Sequence, residues 1–183
     1  MTTYIVCEGA HDAQLLQRLL PEELVSNAEI VAAGGFSAVK SLARSLVARR
    51  QSPVLIVAEA DTTVPEQVEQ RLKDTEELVG NIAVNTPVKV VLAVPTLEII
   101  FFQDTSLLSR LLGYPLSEDI LRSAAYQPKQ TLEKLISKSK NFQNQSQLVD
   151  NLTNEDIKVL RKASVIQDVI EFLQSVQETV GVM

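Results

Sequence analysis

The stretch Leu55 to Thr63, LIVAEADTT, constrains this chain more than any other. Pro53 to Val57 is apolar throughout, rich in β-branched residues and free of alternation, the pattern of a strand buried on both faces of a parallel sheet. The run ends on two acids one residue apart, Glu59 and Asp61. Ligands of open α/β sheets gather beyond the carboxyl ends of strands, and if strand geometry persists, positions i and i+2 leave the same face. Two carboxylates held that close repel, and a divalent cation relieves the repulsion. A solvated loop after a buried strand is the competing reading.

The flanking sequence repeats the theme. Thr3 to Val6, Ala28 to Ala33 and Val88 to Val94 read as further apolar strands. Between them, helices are expected over His11 to Leu20, over Ala38 to Arg50 with Ser37 as its cap, and over Glu66 to Val79 behind Pro65. Thr96 is a candidate cap for a short helix containing Glu98. This order predicts an α/β domain over residues 1–103, a parallel sheet of about four strands covered by helices. Beyond Asp104 the strand signals stop. Helices are expected over Ser106–Leu112, Ser117–Ala125, Pro128–Lys138, Asn154–Ala163 and Val165–Val180, giving a helical C-terminal extension over residues 104–183. Asn141 to Ser146, NFQNQS, reads as a flexible connection.

Composition excludes several classes. At 45% hydrophobic and 22% charged, the chain is globular. No apolar run approaches the ~18 residues of a membrane span, and the N-terminus lacks the basic start of a signal peptide. A soluble, cytoplasmic protein is expected. Cys7 stands alone, so no disulfide framework or cysteine zinc site is available, and a buried thiol is expected. Of the 23 acids, 13 lie in residues 1–103, against 8 of the 17 bases. That front half repels nucleic acid unless metal ions neutralise its acids.

Acids also follow two of the other strands. Glu8 ends the first, Asp12 opens the next helix, and Glu98 follows the fourth. Together, Cys7-Glu8-Gly9-Ala10-His11-Asp12, the pair Gly34-Gly35 and Glu59-Ala60-Asp61 resemble the Toprim domain, the α/β fold shared by topoisomerases, bacterial primases and the overcoming-lysogenization-defect (OLD) nucleases. The resemblance covers residues 1 to about 103. The OLD-type branch is the most similar, through Glu8-Gly9…Asp12 and the later glutamate, Glu98. Topoisomerases carry a separate domain with a nucleophilic tyrosine, and primases carry larger basic domains.

The resemblance implies a Rossmann-like Toprim fold and phosphoryl transfer dependent on Mg2+ (or Mn2+), specifically a nuclease acting on DNA or RNA. It implies Glu8 as a catalytic residue, and Glu8, Asp12, Glu59, Asp61 and Glu98 as metal ligands. Asp61 matches the second aspartate of the family's Asp-x-Asp pair, while Glu59 puts a glutamate where the first aspartate stands. Lys129, loosely similar to a downstream lysine of OLD-type enzymes, is the catalytic candidate for the positive group near the scissile phosphate. OLD nucleases carry an ATPase domain ahead of their Toprim part, so a separate ATPase chain is an expected partner. From the residues alone, Lys134, Lys138 and Lys140 form a basic strip able to track a phosphate backbone, or a solvated helix face. Gly34-Gly35 lacks the lysine of a P-loop and reads as a turn that demands positive φ. His11 reads as a surface histidine at a helix start, and Phe101-Phe102 as core. The alternative function is a non-catalytic Toprim-like module that binds a partner protein or nucleic acid. A nucleotide-binding regulator is a weaker third reading.

Overall fold

The computed structural model describes residues 1–181. Four strands, β1 (Thr3–Cys7), β2 (Ala28–Ala32), β3 (Val54–Glu59) and β4 (Val88–Ala93), form one parallel sheet in the order β2-β1-β3-β4. The chain steps outward from β1 to β2, crosses back over β1 to β3, then steps outward again to β4. Crossovers between parallel strands are right-handed, so reversing the direction of travel moves the connecting helix to the other face. Helix α1 (Ala10–Leu19) and the short α2 (Glu22–Val25) join β1 to β2, and α1 covers one face. α3 (Phe36–Ser45) and α4 (Pro65–Gly80) cover the other.

Strand alternation feeds two cores. Ile5, Cys7, Leu55, Val57, Val91 and Ala93 enter the first, packed on Leu15, Leu16 and Leu19 of α1. Tyr4, Val6, Val54, Ile56, Ala58 and Val90 enter the second, with Val39, Ala43 and Val79 of α3 and α4. A 3₁₀ helix (Leu97–Phe102) follows β4. After it come α5 (Thr105–Leu112), α6 (Glu118–Tyr126), α7 (Pro128–Lys138), α8 (Gln145–Asp150), α9 (Asn154–Leu160) and α10 (Ser164–Gly181). Their apolar stripes, including Leu108, Leu132, Leu148 and Ile166, belong to the first core together with the sheet. Phe101 and Cys7 are buried, as expected. Among the described residues, no helix is long and apolar enough to cross a membrane.

Three local expectations are corrected. Thr96 stands at the start of the 3₁₀ helix, but its buried hydroxyl makes no capping hydrogen bond. Ser37 is not a cap: α3 begins at Phe36, with Gly35 at φ 129° in the cap position. Gly34, at φ 96°, shares the positive φ that the turn reading demands. Asn141 to Ser146 is not a loose connection either. The Asn141 amide donates to the Leu111 carbonyl at 2.9 Å, and Asn144 caps α8 by accepting from the Gln147 N–H at 3.0 Å. Short polar side chains compose loops and helix caps alike, so composition could not separate the two.

Leu132 on α7 is fully buried. Leu132→Ala is expected to lower stability by about 2–5 kcal/mol. Because its helix shares a core with the sheet, chemical denaturation followed by circular dichroism should still show one transition, shifted to lower denaturant.

Candidate metal centre

The sheet reverses its order between β1 and β3, the switch point where open α/β sheets bind ligands. Glu8, just past β1, accepts the Glu59 N–H on Oε1 at 2.8 Å, so its carboxylate continues the ladder where backbone pairing ends. The Glu8 carbonyl accepts the N–H groups of Gly34 and Gly35, at 2.9 and 3.1 Å. Those amides secure the turn.

Glu59 follows Leu55 and Val57 in the alternation, which directs it to the α1 face. There it meets Asp12, 8% exposed, in the first turn of α1, and Glu98, 1% exposed, in the 3₁₀ helix. One oxygen from each of Asp12, Glu59 and Glu98 lies within 4.8 Å of the others. Asp12 Oδ2 accepts the Gly9 N–H at 3.1 Å, the ordinary duty of a first-turn acid. Glu98 Oε1 has only a long contact of 3.5 Å from the Gln145 amide, and its Oε2 is buried with no hydrogen-bond partner.

Crowding shows in the proton affinities. Burial first, then the charges of Asp12 and Glu98, push the Glu59 carboxyl up to about 8. Burial, and next the Glu98 charge, raise Asp12 to about 6. Lys129, in the first turn of α7, is the nearby cation: burial alone would lower its pKa, but Glu59, Glu98 and Asp12 carry it above the ordinary lysine value. An orphaned carboxylate oxygen beside two more oxygen donors suits a hard divalent cation. The donor set therefore fits Mg2+ or Mn2+.

Asp61 stands outside this group. Its φ of 55° ends the strand alternation that would carry it to the same side as Glu59. Its N–H donates to the Pro95 carbonyl at 3.0 Å, and its carboxylate, 56% exposed, pairs with Arg71 of α4 at 3.3 Å. Glu8 borders the group through the Glu59 N–H. Lys134 and Lys138 are exposed on α7, and Lys140 is exposed just past it. His11 is exposed at the start of α1. Sequence reasoning missed Gln145 and Arg71. The only signal was Arg71's place on a long amphipathic helix, and Gln145 sat in a segment read as loop.

No protein-family model and no curated protein matches the chain. Solved structures do. The C-terminal region of the OLD protein of Burkholderia pseudomallei superposes with a TM-score of 0.57 at 16% identity, over 95% of this chain and 97% of that one. The C-terminal region of the Xanthomonas campestris pv. campestris OLD protein gives 0.55 at 14% identity, over 99% and 98%. The chain has the OLD-type Toprim fold. The likeness runs through α5 to α10, so the OLD-type fold includes the helical tail, where the sequence offered no motif.

The raised carboxyls make a pH prediction. With folded values of about 6 and about 8, above the unfolded values, Asp12 and Glu59 favour folding fully only below about pH 4, and that contribution is lost as pH rises through 6 and then 8. In EDTA, the melting temperature is expected to fall between about pH 4 and about pH 8. Glu59→Gln should flatten the upper part of that fall, as read by calorimetry across the same buffers.

Proposed function

We propose that this chain is a Mg2+- or Mn2+-dependent phosphoryl-transfer enzyme, a nuclease acting on DNA or RNA. The observation that carries the reading is the meeting of Asp12, Glu59 and Glu98, with the orphaned Glu98 Oε2 among them. These three would hold the cation, with Glu8 beside them. The chemistry such a cation supplies is Lewis-acid polarisation of a phosphoryl oxygen and easier ionisation of water. Glu59 gives up its proton to ligate, so affinity for the cation rises with pH. Glu8, with Oε1 engaged by the Glu59 N–H, keeps its second oxygen to take a proton from the attacking water. Lys129 offsets the charge that develops on the phosphate.

Lys134, Lys138 and Lys140, exposed on and just past α7, would contact the nucleic-acid backbone. An ATPase module is the partner that the OLD-type resemblance implies, and the cytoplasm is the expected compartment. One observation favours the non-catalytic alternative: Asp61, the second acid of the pair, is held by Arg71 away from the other three.

Calorimetric titration with Mn2+ is the first test. Wild type should bind, and Glu98→Gln and Asp12→Asn should not. Asp61→Ala separates two forms of the site: lost binding means that Asp61 leaves Arg71 for the cation, and retained binding means that the other acids suffice. Lys129→Met should still bind Mn2+ but cut single-stranded DNA about 100-fold more slowly. A wild type that binds Mn2+ yet cleaves neither DNA nor RNA would favour the non-catalytic module.

A further inference from the structure

Asp61 faces a second feature on the opposite side of the sheet. A cleft of about 930 Å3 lies between α3 and α4, floored by Ala60 and lined by Phe36, Lys40, Asp61, Gln70, Arg71 and Asp74. Its volume is that of a small-ligand site, about 300–1,000 Å3. The Arg71 guanidinium lies 3.8 Å from the Phe36 ring centroid, and the Lys40 ammonium 4.6 Å from the same ring. Two like charges are thus gathered on one aromatic ring. Of these two cations only Arg71 has an acidic partner among the described residues, Asp61, and its Nε is buried with no acceptor. Stacking fixes the guanidinium in place while most of its donors stay unused.

We propose that this cleft is the subsite for a nucleotide of the substrate strand next to the scissile phosphate, with Arg71 and Lys40 as its phosphate contacts. The subsite rests on the nuclease reading for the identity of the strand. Two cations set against the carboxylates of Asp61, Glu66 and Asp74 do not make a site for a bare anion. The ligand must bring hydrogen-bond donors as well as a phosphate, and a nucleotide has both: phosphate oxygens for Arg71 and Lys40, and base N–H groups for Asp74, which already takes an amide N–H from Gln70 at 2.6 Å. Continuity selects a strand over a free nucleotide. Glu59 belongs to the metal centre and Asp61 to the cleft, with only Ala60 between them. A strand laid over the carboxyl rim of the sheet at β3 therefore reaches both faces within neighbouring nucleotides.

The test is fluorescence anisotropy of a short fluorescein-labelled single-stranded DNA with the full chain, in calcium and again in EDTA. Arg71→Gln and Lys40→Gln are each expected to weaken binding about 10-fold and to shallow the salt dependence by about 0.7 per lost phosphate contact. Mn2+ titration and thermal melting of the same variants should match wild type, which shows that the fold and the metal centre survive. DNA affinity unchanged in both variants, or no binding by wild type in either buffer, overturns the subsite. Arg71-dependent binding of 5′-AMP without binding of the strand overturns it in favour of a free-nucleotide site. Strand binding that needs Arg71 in a protein that never cleaves would retire the nuclease reading and leave the subsite standing. Cleavage that is indifferent to both variants would do the reverse.

Discussion

The parallel pairing of β1 with β3 places every group of chemical interest. Both strands are buried on both faces, so neither can slip register without driving apolar side chains into the wrong core. β1 stops at Cys7 opposite Val57 while β3 runs on to Glu59, and the Glu8 carboxylate takes the Glu59 N–H that β1 no longer serves. Here the order of the sheet reverses and the helices diverge to opposite faces. That divergence opens the rim between them, and the acids sit in the opening.

Electrostatics then does the opposite of packing. The cores are satisfied, with large side chains such as Phe101 and Leu132 fully buried. The three carboxylates are not: two take protons far more readily than free acids do, and Glu98 keeps a buried oxygen without a partner. An unsatisfied buried polar group costs about 1–3 kcal/mol. A fold that places three carboxyls this close carries a local instability that an oxygen-seeking cation would remove. Lys129 offsets part of it from α7, which ties the tail of the chain to the ends of β3 and β4.

One backbone angle divides the acids of Glu59-Ala60-Asp61 between two environments. With Asp61 at φ 55°, the strand rule that carries Glu59 toward α1 stops at that residue, and Arg71 receives Asp61 on the α3–α4 side. A single strand end thus serves both faces of the sheet: carboxylates with one lysine on the first, and an aromatic ring bearing two cations on the second. The two are separated in chemistry but adjacent along the chain.

Much of this was legible from the residues. Buried β-branched runs give strands wherever they fall, because apolar, branched side chains suit a sheet covered on both faces. Acids that close such runs are placed at the rim by the strand direction alone. The sequence by itself therefore determined the α/β class, the four strands, the glycine turn and the candidate acids Glu8, Asp12, Glu59, Asp61 and Glu98. Which acids meet was decided by tertiary structure. Asp12, Glu59 and Glu98 are far apart in the chain, and their approach depends on how a helix, a strand and a 3₁₀ turn pack around one core. The removal of Asp61, the long reach of Gln145 to Glu98 and the stacking of Arg71 on Phe36 are equally invisible to spacing. Local rules act over a few residues, whereas the acidic cluster is closed by contacts that only the folded chain brings within reach.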